Sequence, residues 1–188
     1  MAGKPYKTGV IHGRFQVLHN DHLKYLLDGA ALCDHLVIGI TNPAPAQTKQ
    51  ESSDTNRGKE TANPLTYLER YQLVKSVFFE AGLSYEDFSI VPFPINFPER
   101  YRYYVPMDAV FFLTIYDEWG LQKKDYFKSQ GLHLHILREV APEEKGISAS
   151  EVRELISNEQ PWEHLVPPAV ATLLKKWGIS SRLKQLPY

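Results

Sequence analysis

Two stretches of the chain gather side chains that can handle phosphate. The first is Gly13-Arg14-Phe15-Gln16-Val17-Leu18-His19-Asn20-Asp21-His22, and the second is Ile147-Ser148-Ala149-Ser150-Glu151-Val152-Arg153. In the first, His19 and His22 lie three residues apart, a spacing that at the start of a helix turns both rings to one side. Two imidazoles so placed can donate hydrogen bonds to two oxygens of a polyphosphate, and protonation strengthens such bonds. Gly13 lets backbone approach a ligand with no side chain in the way. Arg14 offers a planar fork for phosphate oxygens. The same His-x-x-His pair is also half of a zinc site, or two unrelated surface histidines. No cysteine or carboxylate at ligand spacing completes a zinc site nearby.

In the second stretch, Ser148 or Ser150 suits a helix N-cap, and the amides that follow have no partners inside the helix. Arg153 falls about one turn beyond Ser150 and can reach the same anion. Alone, this stretch reads better as a capped helix carrying a surface arginine.

Both stretches need elements to hold them. Thr8 to Phe15 reads as a first strand and Asn20 to Leu32 as a helix, with Leu23, Leu26, Leu27, Ala30 and Ala31 at helical spacing. Strand-like apolar runs recur at Leu36 to Ile40, Phe88 to Pro92, Ala109 to Leu113 and Leu132 to Leu137. Between them lie helical patterns over Leu65 to Ala81 and Asp117 to Ser129, followed by Ser150 to Ser157 and Pro167 to Trp177. Thr66 and Glu69 form a capping-box pair, although Pro64 also suits the first helical position. Pro94 to Pro106 is irregular or a short helix. Residues 41–63 carry no periodicity and read as a lid, a binding loop or a disordered segment.

This alternation predicts an α/β domain: a parallel sheet of about five strands with flanking helices and a small C-terminal helical segment. One domain spans residues 1–188, with a core over 8–177 and a tail over 178–188. The first motif stands where a strand hands over to a helix, the place where an open α/β sheet forms its ligand crevice. A helix N-terminus there offers bare N–H groups and roughly half a positive charge to an anion.

Composition narrows the classes. Apolar residues make up 43% and charged residues 23% of the 188 residues, which excludes a disordered tail or a membrane protein. No apolar run approaches the roughly 18 residues of a membrane span, and Met1 to Lys7 is polar, without a secretory apolar region. Cys33 is the single cysteine, so no intrachain disulfide can form and a reducing cytosol is the expected setting. It is read as a structural thiol at the end of the first helix. A net charge of −1 gives no sign of a nucleic-acid partner, and the sequence admits a homo-oligomer.

The motif Gly-Arg-Phe-Gln-x-x-His-x-x-His resembles the signature of the nicotinamide-mononucleotide adenylyltransferases, the archaeal type and its bacterial relatives in particular. That family lies within the superfamily with the His-x-Gly-His motif and a Rossmann-like, doubly wound fold. The second stretch resembles the superfamily's Ile-Ser-x-Thr-x-x-Arg motif, with Ser150 in place of threonine. Leu65-Thr66-Tyr67-Leu68-Glu69-Arg70 resembles its segment ending in Gly-Glu-Arg.

The resemblance implies transfer of AMP from ATP to nicotinamide mononucleotide, giving NAD and pyrophosphate, with Mg²⁺ carried on the ATP phosphates. It implies that His19, His22, Arg14 and Arg153 act on the transferring phosphates. Gly13, Phe15, Gln16, Ile147, Ser148 and Ser150 would hold the nucleotide. No covalent intermediate or dedicated base is needed, because a phosphate monoester with a second pKa of about 6 is already a nucleophile near neutrality. An aromatic residue is expected to stack on the nicotinamide, with Phe97, Tyr103 and Trp119 the chief candidates beside Tyr101, Tyr104 and Tyr116. Aromatics beside prolines also simply pack a surface loop.

Besides Ser150 for threonine and Leu68 for the glycine of Gly-Glu-Arg, the sequence departs from the family pattern at three further places. Val17 replaces proline. Asp21 replaces the glycine between the histidines and sets a carboxylate where a triphosphate arrives. Phe112-Leu113-Thr114-Ile115 stands where the archaeal enzymes carry a Ser-Gly-Asn-type turn. These departures keep other acceptors open: nicotinate mononucleotide, phosphopantetheine, or a CTP-dependent reaction on a phosphorylated alcohol. A nucleotide-binding regulatory module without turnover is the alternative of another class.

Overall fold

Val10 and Ile11 are neighbours on one strand, and both are wholly buried, as happens where a sheet is covered on each face. That strand, β1 (Tyr6–Gly13), leads into helix α1 (Asn20–Leu32) and strand β2 (Cys33–Thr41). The chain continues through α2 (Tyr67–Glu80), β3 (Phe88–Phe93), β4 (Val110–Ile115), α3 (Glu118–Ser129) and β5 (His133–Glu139). Three helices follow: α4 (Ala149–Ser157), α5 (Pro168–Lys176) and α6 (Ile179–Gln185). This computed structural model describes residues 3–42, 62–141, 144 and 146–186. Most of the non-periodic 41–63 stretch lies outside the described residues.

The five strands form one sheet in the order β3-β2-β1-β4-β5, every neighbouring pair parallel. The chain winds outward from β1 to β3, returns to the other side of β1 at β4, and winds outward again to β5. The reversal between β1 and β4 is a topological switch point of a doubly wound, Rossmann-like fold. Ile11 belongs to a core with Leu26, Leu36, Leu73 and Phe78, whereas Val10 packs with Val37, Phe93, Tyr101 and Phe127.

Local chemistry sets the ends of the elements. Thr66 caps α2 and exchanges hydrogen bonds with Glu69, so the capping box forms and Pro64 stays outside the helix. Cys33 is the C-cap of α1 and also opens β2. Its buried thiol donates to the Gly29 carbonyl at 3.4 Å, and burial raises its pKa. The Pro94 to Pro106 stretch contains a 3₁₀ helix over Pro98–Tyr103.

The segment expected as a tail beyond Trp177 is instead part of the fold. Ile179 and Leu183 are buried in the same core as Ile11, and Arg182 grips both oxygens of Glu69 at 2.8 Å. Among the described residues, no helix is long and apolar enough to cross a membrane.

Candidate active site

The crevice exists because β1 and β4 part company. They pair only at Gly9 with Val110 and Val10 with Phe111. Past that point the Tyr25 phenol fills the fork, donating to the Phe112 carbonyl at 2.9 Å and accepting from the His12 backbone N–H. A cavity of about 390 Å³ opens above it. One wall is the turn after β1 with the start of α1: Gly13, Arg14, His19, Asp21 and His22. The segment from Gly146 to Ser150 overhangs it. Opposite stand Thr114, Tyr116, Asp117, Gly120 and Lys123, with His12 and Tyr25 at the base.

The histidine pair is a capping device. His19 is the N-cap of α1, and its Nδ1 accepts from the His22 N–H at 3.4 Å. The His22 Nδ1 accepts from the His19 N–H at the same distance, and the rings stack with centroids 3.7 Å apart. A neutral imidazole whose Nδ1 accepts carries its proton on Nε2. Burial brings the His19 pKa down to about 4, opposed by Asp21. Burial, then His19 and Arg14, hold His22 well below its ordinary value, against a hydrogen bond with the Val17 backbone. Both rings are therefore neutral at pH 7; His19 can present its Nε2–H to a ligand, whereas the single N–H of His22 is already bonded to the Val17 backbone.

Ser148 caps α4, its Oγ accepting from the Glu151 N–H at 3.1 Å. Arg153, expected on the phosphates, donates to the Gln16 carbonyl and to the Ser150 Oγ, the latter at 3.0 Å. It does not line the cavity and instead stitches the two motifs together. Asp21 does the same from the other side: its Oδ2 accepts from the Ile147 N–H at 2.7 Å. A side chain at residue 146 would bring its Cβ within 2.2 Å of that oxygen, so the close approach requires Gly146. The carboxylate that was expected to crowd a triphosphate is committed to the loop.

Phe15 and Gln16, expected at the nucleotide, are turned away from the cavity. Phe15 is wholly buried, with φ of 53° and its edge against the His22 ring at 5.3 Å. A Cβ on residue 13 would come within 2.7 Å of the Phe15 ring, so the bareness of Gly13 makes room for Phe15 rather than for a ligand. The Gln16 amide clasps the Leu65 N–H and carbonyl at 2.8 and 2.9 Å. Buried Arg70 closes the turn from below, donating to the carbonyls of Arg14, Thr41 and Asn42.

The aromatic candidates mostly lie elsewhere. Phe97 stacks under the Arg100 guanidinium at 4.9 Å, Tyr103 is 77% exposed, and neither lines the cavity. Tyr101 is wholly buried, Tyr116 does line the cavity, and the Trp119 side chain lies outside the described residues. Where the Ser-Gly-Asn-type turn is missing, β4 runs on through Thr114 and Ile115.

The sequence reading missed His12, Tyr25, Thr114, Asp117, Gly120 and Lys123. For His12 a trace existed: it is the polar residue in the run Val10-Ile11-His12. For Asp117 the trace was its place as the first residue of a helical pattern; it is the N-cap of α3, accepting from the Gly120 N–H at 3.0 Å.

A family model described as cytidylyltransferase-like matches residues 10–155. The phosphonoformate cytidylyltransferase of Streptomyces viridochromogenes is 50% identical over 177 residues, covering 94% of this chain and 95% of that protein. The nicotinamide-nucleotide adenylyltransferase of Thermococcus onnurineus is 29% identical over 181 residues, covering 96% of this chain and 88% of that one. Among solved structures, a bifunctional NMN adenylyltransferase/ADP ribose pyrophosphatase from Francisella tularensis superposes with a TM-score of 0.64 at 14% identity. That match covers 96% of this chain and 52% of the other, so this chain spans about half its length. A likeness at that identity bears on the fold alone.

Proposed function

Since the chain belongs to the cytidylyltransferase-like family and is a nucleotidyltransferase, we propose that it transfers CMP from CTP to a small phosphonate of the phosphonoformate kind, releasing pyrophosphate. The observation that carries this reading is the 50% identity to the Streptomyces enzyme along nearly the whole of both chains. The site agrees with it. Phe97 and Tyr103, sought as stacking partners for a nicotinamide, do not line the cavity. Its far wall offers Lys123, Thr114 and Tyr116, suited to a compact anion. Transfer of AMP to nicotinamide mononucleotide rests on the weaker likeness to the archaeal relatives.

In the proposed reaction a phosphonate oxygen attacks the α-phosphorus of CTP. One P–O bond forms as the bond to the bridging oxygen breaks, and that oxygen leaves with pyrophosphate. Such an oxygen already bears charge near neutral pH, so the protein's task is alignment and charge stabilisation. His19 supplies a neutral N–H donor that the stacked His22 ring positions, Arg14 a fixed cation, and the start of α4 its bare amides. Mg²⁺ enters as part of the substrate, on the triphosphate. The Asp21 and Asp117 carboxylates are each already bonded to a backbone N–H.

The test crosses two nucleotides, CTP and ATP, with two acceptors, phosphonoformate and nicotinamide mononucleotide. Pyrophosphate release is followed, with phosphorus NMR to identify the new P–O–P linkage. Release with CTP and phosphonoformate is expected. Release confined to ATP and nicotinamide mononucleotide overturns the proposal, and CTP binding without release from any pair favours the regulatory reading.

A further inference from the structure

The transfer reaction as described leaves one buried polar side chain of the crevice without a task. His12 is the penultimate residue of β1, immediately before Gly13; it is 5% exposed and lines the cavity. Among the described residues, neither Nδ1 nor Nε2 of its ring has a hydrogen-bond partner. Phe93 and Phe127 flank it, with ring centroids 5.6 and 5.3 Å away. Those neighbours have nothing to give a ring nitrogen, so a partner must come from the crevice. A neutral imidazole always presents one donor and one acceptor, and leaving both unmatched in a protein interior is unfavourable enough to be rare. His19 and His22 differ in this respect, because each has its Nδ1 tied to backbone. Lys123, half-buried on α3, lines the same cavity and is close enough to act on the His12 ring electrostatically.

We propose that His12 selects the acceptor: its ring donates a hydrogen bond to the acidic group of the acceptor that does not attack, and Lys123 supplies the opposing charge. This rests on the cytidylyltransfer reading and names the part of the substrate that the base of the crevice recognises. For a phosphonoformate-like acid, that group is the carboxylate, while a phosphonate oxygen faces the α-phosphorus. An acceptor with an apolar substituent in that place leaves the ring as unmatched as before. His12 therefore discriminates among phosphonates without touching CTP.

The test measures steady-state rates for the full chain and its variants with CTP, using phosphonoformate and methylphosphonate as acceptors. His12→Phe keeps an aromatic ring between Phe93 and Phe127 but removes both nitrogens. It is expected to raise KM for phosphonoformate about 10- to 100-fold, the worth of a hydrogen bond to a charged group, with KM for CTP unchanged. The preference for phosphonoformate over methylphosphonate should shrink by the same factor. His12→Asn retains a donor and should recover part of the lost affinity. A second readout needs no turnover: the ring-proton NMR resonances of His12, followed while phosphonoformate is added to the wild-type chain, should be displaced.

Turnover by His12→Phe with an unchanged acceptor KM, or an equal rise in the KM for CTP, overturns the assignment and leaves the reaction standing. A wild-type chain that does not turn over, yet shows the His12 resonances displaced by phosphonoformate, keeps the site and overturns the reaction. Absence of both overturns both.

Discussion

On the wall of the crevice that meets the first motif, the groups suited to a triphosphate are fixed by helix caps. His19 and His22 cap each other's backbone, Ser148 caps α4, and Asp21 ties the first cap to the loop before the second. On the opposite wall, Thr114 and Tyr116, which share a hydrogen bond, and Lys123 come from a strand, the residue that follows it and a helix. The first wall cannot change one residue without disturbing another. The second is tied more locally: Asp117 caps α3 and Thr114 hydrogen-bonds Tyr116 two residues away. That difference suits an enzyme class whose nucleotide chemistry is constant and whose acceptor varies.

Replacing His19 tests whether the capped wall does more than cap. His19→Asn keeps an N-cap acceptor and removes the ring, so kcat should fall about 10²- to 10³-fold while stability is nearly retained. His19→Ala should lose the same activity and also about 1 kcal/mol of stability. Single-turnover rates and urea unfolding separate the two effects, and an Asn variant with wild-type kcat would reduce this wall to scaffolding. Next in size is Asp21→Ala, which leaves the Ile147 amide without its carboxylate. A loss of about 1–3 kcal/mol is expected in urea unfolding, along with slower rather than faster turnover. Asp21→Gly, which restores the motif glycine, should behave the same way, because the carboxylate braces the loop.

Acidity strikes the capped wall as well. The folded pKa of His19 is about 4, below its ordinary 6.5, so between those values the unfolded chain binds more protons than the folded one. Stability fully present above pH 6.5 should be lost progressively as pH falls toward 4, with His12 and His22 acting in the same direction. Urea midpoints at several pH values measure this loss, and His19→Asn should make the decline shallower. The smallest effect is expected outside both walls: Phe97→Ala and Tyr103→Ser should leave every substrate KM within about twofold. A larger change in acceptor KM would return those aromatics to the site.

The capped wall was the legible one, for a physical reason. Capping joins residues three apart, so the pairs His19 with His22 and Thr66 with Glu69 show themselves in a short window. Asp21 meets the Ile147 amide across 126 residues and Arg153 meets the Gln16 carbonyl across 137, and no local pattern announces either. Phe15 was misplaced because its motif neighbours suggested ligand contact, whereas its backbone at φ of 53° sends the ring under Gly13. The sheet's strands were readable as apolar runs. The last helix was not, since Ile179 and Leu183 sit among Ser180, Ser181, Arg182 and Lys184. His12 carried a readable trace, but its lack of partners among the described residues emerges only once Phe93 and Phe127 close around it.

Tyr25 gives the sheet a mechanical property. β1 shares seven paired positions with β2, Tyr6 through Gly13, but only two with β4. The three-strand leaf β3-β2-β1 and the two-strand leaf β4-β5 therefore meet along a short joint, and above it a phenol stands in for rungs of the ladder. A joint with so few rungs is expected to yield before the leaves do, by a swing about Gly9 and Val10. The His12 amide, held by a phenol oxygen rather than by a neighbouring strand, is the built-in gauge of that swing: it should trade its hydrogen for solvent deuterium sooner than Ile38 in the middle of the larger leaf.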